Sequence, residues 1–261
     1  MRRIASRQNP VVSRYRAAAR GDTDRLVLLD GVHLVTEALA ADVMLQEAAV
    51  RADYAADDTG RDVVARLERA GVDVVSATAP VMAALSPVRS TSPVVALAMR
   101  PNHDDVFAAA PACVVVAVDI QDPGNLGAIV RVAEAAGASG VVAAGGSAQP
   151  FGWKALRGSM GSALRLPIGG GDPATAIATA RRHRCRIVAT VPRAGRTLFD
   201  LDLTGPAALL LGGEGAGLPA ALIDGADARI TIPMQPPVES LNAAVTAGVI
   251  LYEARRQRRA S

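Results

Sequence analysis

Continuously apolar runs and helix-spaced apolar positions take turns along the second half of this chain. Val114-Val115-Val116-Ala117-Val118 and Ala208-Leu209-Leu210-Leu211 contain no polar position, which marks parallel strands buried on both faces. Strands are predicted at 113–120, 140–144, 165–168, 186–191, 207–211 and 229–232. Helices are predicted at 125–137, 153–163, 173–184, 218–224 and 240–256. In the last helix Leu241, Val245, Val249 and Tyr252 fall near helical spacing, an expected buried stripe. Arg255-Arg256-Gln257-Arg258-Arg259 follows as an expected solvated tail. The first hundred residues read as a smaller α/β unit. Its strands are expected at 26–29, 43–50, 72–75 and 94–99, with helices at 32–40 and 62–70. An arginine-bearing segment at 9–20 precedes the first of these strands. A polar, then alanine-rich stretch from Arg100 to Pro111 separates the halves. The expected division is therefore 1–100, a linker at 101–112, and 113–261.

With 261 residues, half of them apolar, the chain can form one large domain or two ordinary ones. The formal net charge of +3 is mildly basic and rests almost wholly on arginine, since Lys154 is the single lysine. Arginine pairs bidentately with phosphate, so RNA is a candidate partner. Genomic base composition is the plainer source of the arginine bias itself. Cys113 and Cys185 form no CxxC pattern, and His33, His103 and His183 are scattered. No disulfide framework and no metal site is expected. No apolar run approaches the ~20 residues that span a bilayer, and the N-terminus lacks the apolar core of a signal peptide. A cytoplasmic protein with no membrane partner is expected.

Three stretches share one form, an apolar strand ending in a Gly- or Pro-rich turn that carries polar side chains and opens a helix. They are Asp119-Ile120-Gln121-Asp122-Pro123-Gly124-Asn125, Leu211-Gly212-Gly213-Glu214-Gly215-Ala216-Gly217, and Ile232-Pro233-Met234 through Ser240-Leu241-Asn242. Ligands of open α/β sheets bind outside the carboxyl ends of the strands, so three such turns suggest one site. Asn125 alone would read as a helix N-cap. Arg131, in the same apolar helix, needs an anionic partner or a cleft; a structural ion pair with Glu134 is the alternative. Glu214 is either a turn residue or a site carboxylate. Capping and function are equally good readings of Ser240, whereas Asn242 is disfavoured inside a helix without a partner. The glycine turn follows a late strand, and neither GxGxxG nor GxxxxGK[ST] occurs. A dinucleotide or P-loop site loses its main support.

Together these stretches resemble the SpoU (TrmH-type) RNA ribose methyltransferases of the SPOUT superfamily. The matching residues are Asn125-Leu126-Gly127 through Arg131, Gly212 through Leu218, and Ile232-Pro233-Met234 with Ser240-Leu241-Asn242-Ala243. The resemblance spans residues from about 113 to the end. The first part is similar, more weakly, to the L30e-like substrate-binding domain of some members. There Asp30-Gly31-Val32-His33 stands where a Glu-Gly pair is usual.

The resemblance implies an α/β fold, a small L30e-like domain followed by a SPOUT domain with a mostly parallel sheet and a C-terminal trefoil knot. It implies S-adenosylmethionine as cofactor, held near Thr190, Gly212, Gly213, Ile232 and Leu241, and a homodimer whose site borrows residues across the interface. The implied reaction is 2′-O-methylation of an RNA ribose, with 23S ribosomal RNA the leading substrate. Arg131 takes the catalytic position, stabilising the developing alkoxide or orienting a phosphate, because a guanidinium with a pKa above ~12 is a poor base. Asn125, Glu214, Ser240 and Asn242 would position Arg131, the ribose or the cofactor. Arg7, Arg14, Arg16, Lys154 and Arg157 are candidate RNA contacts acting through electrostatics, with a solvated basic face as the alternative for the last two. Transfer RNA methylation, or a non-catalytic RNA-binding protein with the same fold, are the competing readings.

Overall fold

A computed structural model describes residues 1–88, 91–102 and 105–260; His103 lies outside the described residues. The chain divides into two compact units. The first comprises Met1–Pro101 with Phe151–Arg165, the second Asn102–Pro150 with Leu166–Ser261.

In the first unit the chain runs through β1 (Arg2–Ile4), α1 (Pro10–Arg20), β2 (Leu26–Asp30), α2 (Val32–Ala40) and β3 (Leu45–Arg51). It continues through α3 (Ala52–Ala56), α4 (Asp58–Arg69), β4 (Asp73–Ala77), α5 (Ala79–Leu85) and β5 (Val94–Met99). The strands form a mixed sheet in the order β1-β4-β3-β5-β2. The segment expected ahead of the first strand is α1. The Asn9 side chain caps it by accepting from Val11 N at 3.0 Å, and Gly21 ends it in the left-handed conformation, φ 78°. The short edge strand β1 was not expected, since three residues show no period. Asp30 is buried and accepts hydrogen bonds from the Ser86 and Ser92 hydroxyls, which satisfies a carboxylate removed from water.

The expected contiguous division differs from the structure in two places. Residues 151–165 were expected in the second half but belong to the first unit, where Trp153 packs on the core of Val12, Tyr15, Met82 and Leu97. The expected linker holds buried anchors of the second unit instead, Val106, Phe107 and Ala112. Alanine around those residues masked them as a polar connection.

The second unit holds β6 (Cys113–Val118), α6 (Pro123–Ala136) and β7 (Gly140–Ala144). After α7 (Trp153–Ser159), which belongs to the first unit, come β8 (Ile168–Gly171), α8 (Pro173–Arg182), β9 (Arg186–Thr190) and β10 (Arg196–Thr197). Then follow β11 (Ala207–Gly212), α9 (Ala220–Asp224), β12 (Ala228–Thr231) and α10 (Ala243–Ala260). The sheet order is β10-β12-β9-β11-β6-β7-β8, with every neighbouring pair parallel. The two continuous apolar runs are its central strands β6 and β11, fully covered on both faces. The strand expected at 165–168 begins only at Ile168, because Gly169-Gly170-Gly171 pairs through backbone alone with Val142, Ala143 and Ala144.

Two expectations for α10 are overturned. Its buried face is Ala243, Ala247, Ile250, Leu251 and Ala254, while Leu241, Val245 and Tyr252 are exposed. Alanine at helical spacing lets α10 lie close on α6, where a side chain at Gly248 would touch Val132. The arginine-rich end is no solvated tail. The helix continues through it, and Arg258 donates to the carbonyls of Leu203 (2.9 Å) and Gly205 (2.6 Å). Glu253, on the same helix, is buried and accepts from Arg256 at 2.7 and 2.8 Å and from Gln257 at 2.8 Å. Those bonds, chiefly that with Arg256, hold its carboxyl down to about 2 against burial, which works the other way. A depressed carboxyl stabilises the fold above its ordinary value of 4.5, and that contribution is lost as pH falls towards 2. The melting temperature is therefore expected to drop across that window, less steeply in Glu253→Gln. Equal slopes in a circular-dichroism pH series would refute this.

Candidate active site

The carboxyl ends of β6, β9, β11 and β12 lie side by side, and the three polar turns leave from three of them. At the end of β11 the chain folds back at once: a Cβ on Gly212 would lie 2.3 Å from the Gly217 carbonyl carbon and 2.4 Å from Leu218 N. A Cβ on Gly213 would lie 2.2 Å from Asp119 O. Both positions accept only glycine as the backbone stands. The Gly217 N–H donates to Gly213 O at 3.1 Å and closes the turn.

This turn walls a cavity of about 360 Å³, within the ~300–1,000 Å³ usual for small-molecule sites. Thr190, Val191 and Pro192 line it from the end of β9, and Ile230, Ile232 and Met234 from β12 and the loop after it. Ser240, Leu241, Ala243 and Thr246 close it from the start of α10. All five residues expected at the cofactor, Thr190, Gly212, Gly213, Ile232 and Leu241, lie on its wall. A second cavity of about 430 Å³ adjoins it, lined by Asp119, Gln121, Asp122 and Asn125. Gly213, Glu214, Ala216 and Gly217 line both.

On that shared wall three predicted side chains meet. Asn125 Nδ2 donates to Glu214 Oε1 at 2.6 Å; Asn242 Nδ2 donates to the same oxygen at 3.0 Å and to Asn125 Oδ1 at 3.0 Å. Two amide donors on one carboxylate oxygen fix its direction. Among the described residues the side-chain bonds of Glu214 all fall on Oε1, which leaves Oε2 for another donor.

The capping assignments change. Asp122, not Asn125, caps α6, accepting from Asn125 N at 2.7 Å. Asn125 thus sits in the first turn with its amide free to reach Glu214. Asn242 caps α10 rather than standing inside it: Oδ1 accepts from Ala244 N at 2.9 Å. One face of its amide serves the helix and the other the site. Ser240 precedes the helix on the cavity wall.

Arg131 is not brought to this cluster. It follows Asn125 by six residues on α6, about 120° around and ~9 Å along the helix, and it lines neither cavity. It is exposed, with no carboxylate partner among the described residues. The burial cost inferred from its apolar neighbours does not arise, since Leu126, Ile129 and Val130 face the core and Arg131 faces out.

The candidate RNA contacts all fall in the first unit. Arg7 and Arg16 donate Nε to the carbonyls of Pro80 (3.0 Å) and Ala84 (3.1 Å) and keep exposed guanidinium ends. Arg14 is partly committed to Glu47, at 3.5 Å. Burial pushes the Glu47 carboxyl above its ordinary value, and Arg14 pulls it back. Lys154 lies 5.5 Å from the Trp153 ring centre, and Arg157 is exposed. Sequence reasoning missed that 151–165 joins these residues to α1; Phe151 and Trp153, two of only three Phe and one Trp in the chain, were the available signal of a packed segment.

Residues 112–252 match the profile of the SpoU rRNA Methylase family. The chain belongs to that family. Among its relatives, the uncharacterized tRNA/rRNA methyltransferase slr1673 of Synechocystis sp. is 33% identical over 97% of this chain and 93% of its own length. The 23S rRNA (guanosine(2553)-2′-O)-methyltransferase RlmP of Bacillus subtilis is 30% identical over 87% of this chain and 88% of its own. The fold matches the SpoU methyltransferase AviRb of Streptomyces viridochromogenes, solved with AdoMet, with a TM-score of 0.87 at 27% identity, over 97% of this chain and 100% of that one. It also matches an AdoMet-bound rRNA methyltransferase of Sinorhizobium meliloti, with a TM-score of 0.85 at 29% identity, covering 98% and 97%. Both matches run through the two units of the SpoU chain described here.

Proposed function

We propose that this protein transfers a methyl group from S-adenosylmethionine to a ribose 2′-hydroxyl of RNA, with 23S ribosomal RNA as substrate, acting as a cytoplasmic homodimer. The observation that carries this reading is the meeting of Asn125, Glu214 and Asn242 on the wall between two adjoining cavities. The first cavity suits the cofactor. Its glycine wall presents backbone groups at close range, its apolar side chains suit an adenine ring, and its size matches a nucleoside ligand. When bound, the cofactor supplies an electrophilic methyl on sulfur with a good leaving group.

The residues of this chain do the rest. Asn125 and Asn242 hold Glu214 so that its second oxygen can orient a ribose hydroxyl in the adjoining cavity. Ser240 lines the first cavity, as Glu214 does. A positive charge is needed where the attacking oxygen becomes anionic. Arg131 meets that need from the partner copy, because in its own chain it points away from the cluster. The exposed Val245 and Tyr252 of α10, with Leu241 just before it, give a dimer an apolar contact beside the α10–α6 packing. Arg7, Arg16, Lys154 and Arg157 offer the first unit's phosphate contacts, with Arg14 contributing less. The strand order β12-β9-β11-β6 is the sheet in which the trefoil knot is proposed.

The test is transfer of labelled methyl to deproteinised ribosomal RNA and to bulk transfer RNA, followed by digestion to nucleosides and mass spectrometry. A 2′-O-methylnucleoside from 23S RNA is expected. Methylation of a base, or absence of cofactor binding by calorimetry, would overturn the reading; label in transfer RNA alone would change the substrate.

A further inference from the structure

We propose that Asp119, to which no role has been given, is a positioning residue for Asn125; this rests on the methyl-transfer reading above. Asp119 follows the last residue of β6 and holds a left-handed backbone, φ 57°, uncommon for any side chain but tolerated by Asp and Asn. That turn aims its carboxylate at the loop after β7. Oδ1 accepts from Gly146 N at 2.6 Å. A Cβ on Gly145 would stand 2.5 Å from the same oxygen, so the approach depends on a glycine there.

The bond is one of a set that straps the turn before α6 to the loop after β7. Asp119 N donates to Ala144 O at 3.1 Å, Ile120 N to Ser147 Oγ at 3.0 Å, and Ala148 N to Ile120 O at 2.9 Å. On its other side Asp119 O abuts Gly213, the residue before Glu214. The turn that presents Asn125 and the turn that presents Glu214 are thus both indexed to Asp119. Asp119 lines the second cavity and not the cofactor cavity, so its acceptor governs the placement of the amide that orients Glu214 on the substrate side rather than cofactor binding. Local backbone strain of this kind persists where the surroundings fix it and recurs at functional sites.

Three variants separate backbone from acceptor. Asp119→Asn keeps both the left-handed tolerance and an acceptor; Asp119→Gly keeps the backbone alone; Asp119→Ala keeps neither. Turnover is read with S-adenosylmethionine Kd, melting temperature, and amide hydrogen exchange at 120–125 and Gly146. In Asp119→Gly, kcat is expected to fall by ~10-fold or more, since small misplacements of an orienting group are costly. Its Kd and melting temperature should stay near those of the unaltered protein, with faster exchange at 120–125. Asp119→Asn should restore kcat and protection, and Asp119→Ala should be worst. The proposal is overturned if Asp119→Gly keeps full turnover, or if its melting temperature falls and its Kd rises in step with the loss of kcat. It is overturned too if Asp119→Asn is as poor as Asp119→Gly, which would make charge the property that matters. Should the unaltered protein transfer no methyl group, the methyl-transfer reading fails by itself. Exchange at 120–125 then decides: faster in Asp119→Gly but not in Asp119→Asn supports the positioning role, and no change sinks it.

Discussion

Replacing Arg131 by alanine is expected to lower kcat for methyl transfer by ~10²–10³-fold, the usual loss when one stabiliser of a developing oxyanion is removed. Cofactor affinity should change little, because Arg131 lines neither cavity. The fold should be untouched, because the side chain is exposed on α6 and has no carboxylate partner among the described residues. Arg131→Lys should recover little, since an ammonium lacks the planar fork that grips a phosphate. The partner-copy origin of Arg131 has its own signature. Arg131→Ala and Asn242→Ala proteins, each inactive, should regain part of the activity when dissociated and reassembled together. A mixture as inactive as its components would place Arg131 and Asn242 of one chain in one site.

Gly212→Ala is expected to cripple the cofactor cavity. Its new methyl would lie 2.3 Å from the Gly217 carbonyl carbon and 2.4 Å from Leu218 N, both main-chain atoms. Overpacking of this kind costs about 1–3 kcal/mol. The turn 213–217 can yield most readily, being the less buried side of the contact. Its displacement carries away the wall shared by the two cavities, and with it Glu214. If that strain is expressed in the site, Kd for S-adenosylmethionine rises by ~10–100-fold, as tenfold corresponds to about 1.4 kcal/mol. Calorimetry on the folded variant checks this. An unchanged Kd would show that β11 absorbs the methyl without moving the turn.

The central strands were legible because nothing else explains Val114-Val115-Val116-Ala117-Val118: five apolar positions in a row have no helical or alternating period, and only a strand covered on both faces buries them all. The site was legible for a related reason. Gly212-Gly213-Glu214-Gly215 and Ile232-Pro233-Met234 interrupt strand patterns with residues that build turns, and polar groups in such turns stand at strand ends. The roles inside the turns were less legible. Asn125 and Asn242 are both good capping residues, and Asp122 took the cap of α6 while Asn242 took that of α10. Which oxygen reaches a given N–H depends on the entry path of the chain, and residue type alone does not specify it.

The α10 stripe failed for a different reason. Leu241, Val245 and Tyr252 are large apolar residues yet exposed, while Ala243, Ala247 and Ala254 face the core together with Ile250 and Leu251, the alanines letting α10 lie close against α6. Periodicity locates an apolar face and does not say what covers it. The segment 151–165 shows the same limit, since its aromatic anchors could pack in either unit. What the sequence by itself determined was the parallel sheet, the three glycine- and proline-bearing turns at its edge, and the residue types they carry, because those follow from hydrophobic period and backbone permissiveness along a short stretch of chain. What only the tertiary structure decided was the joining of Asn125, Glu214 and Asn242, the outward direction of Arg131, and the membership of 151–165. Each depends on contacts between residues distant in the chain, which local pattern does not encode.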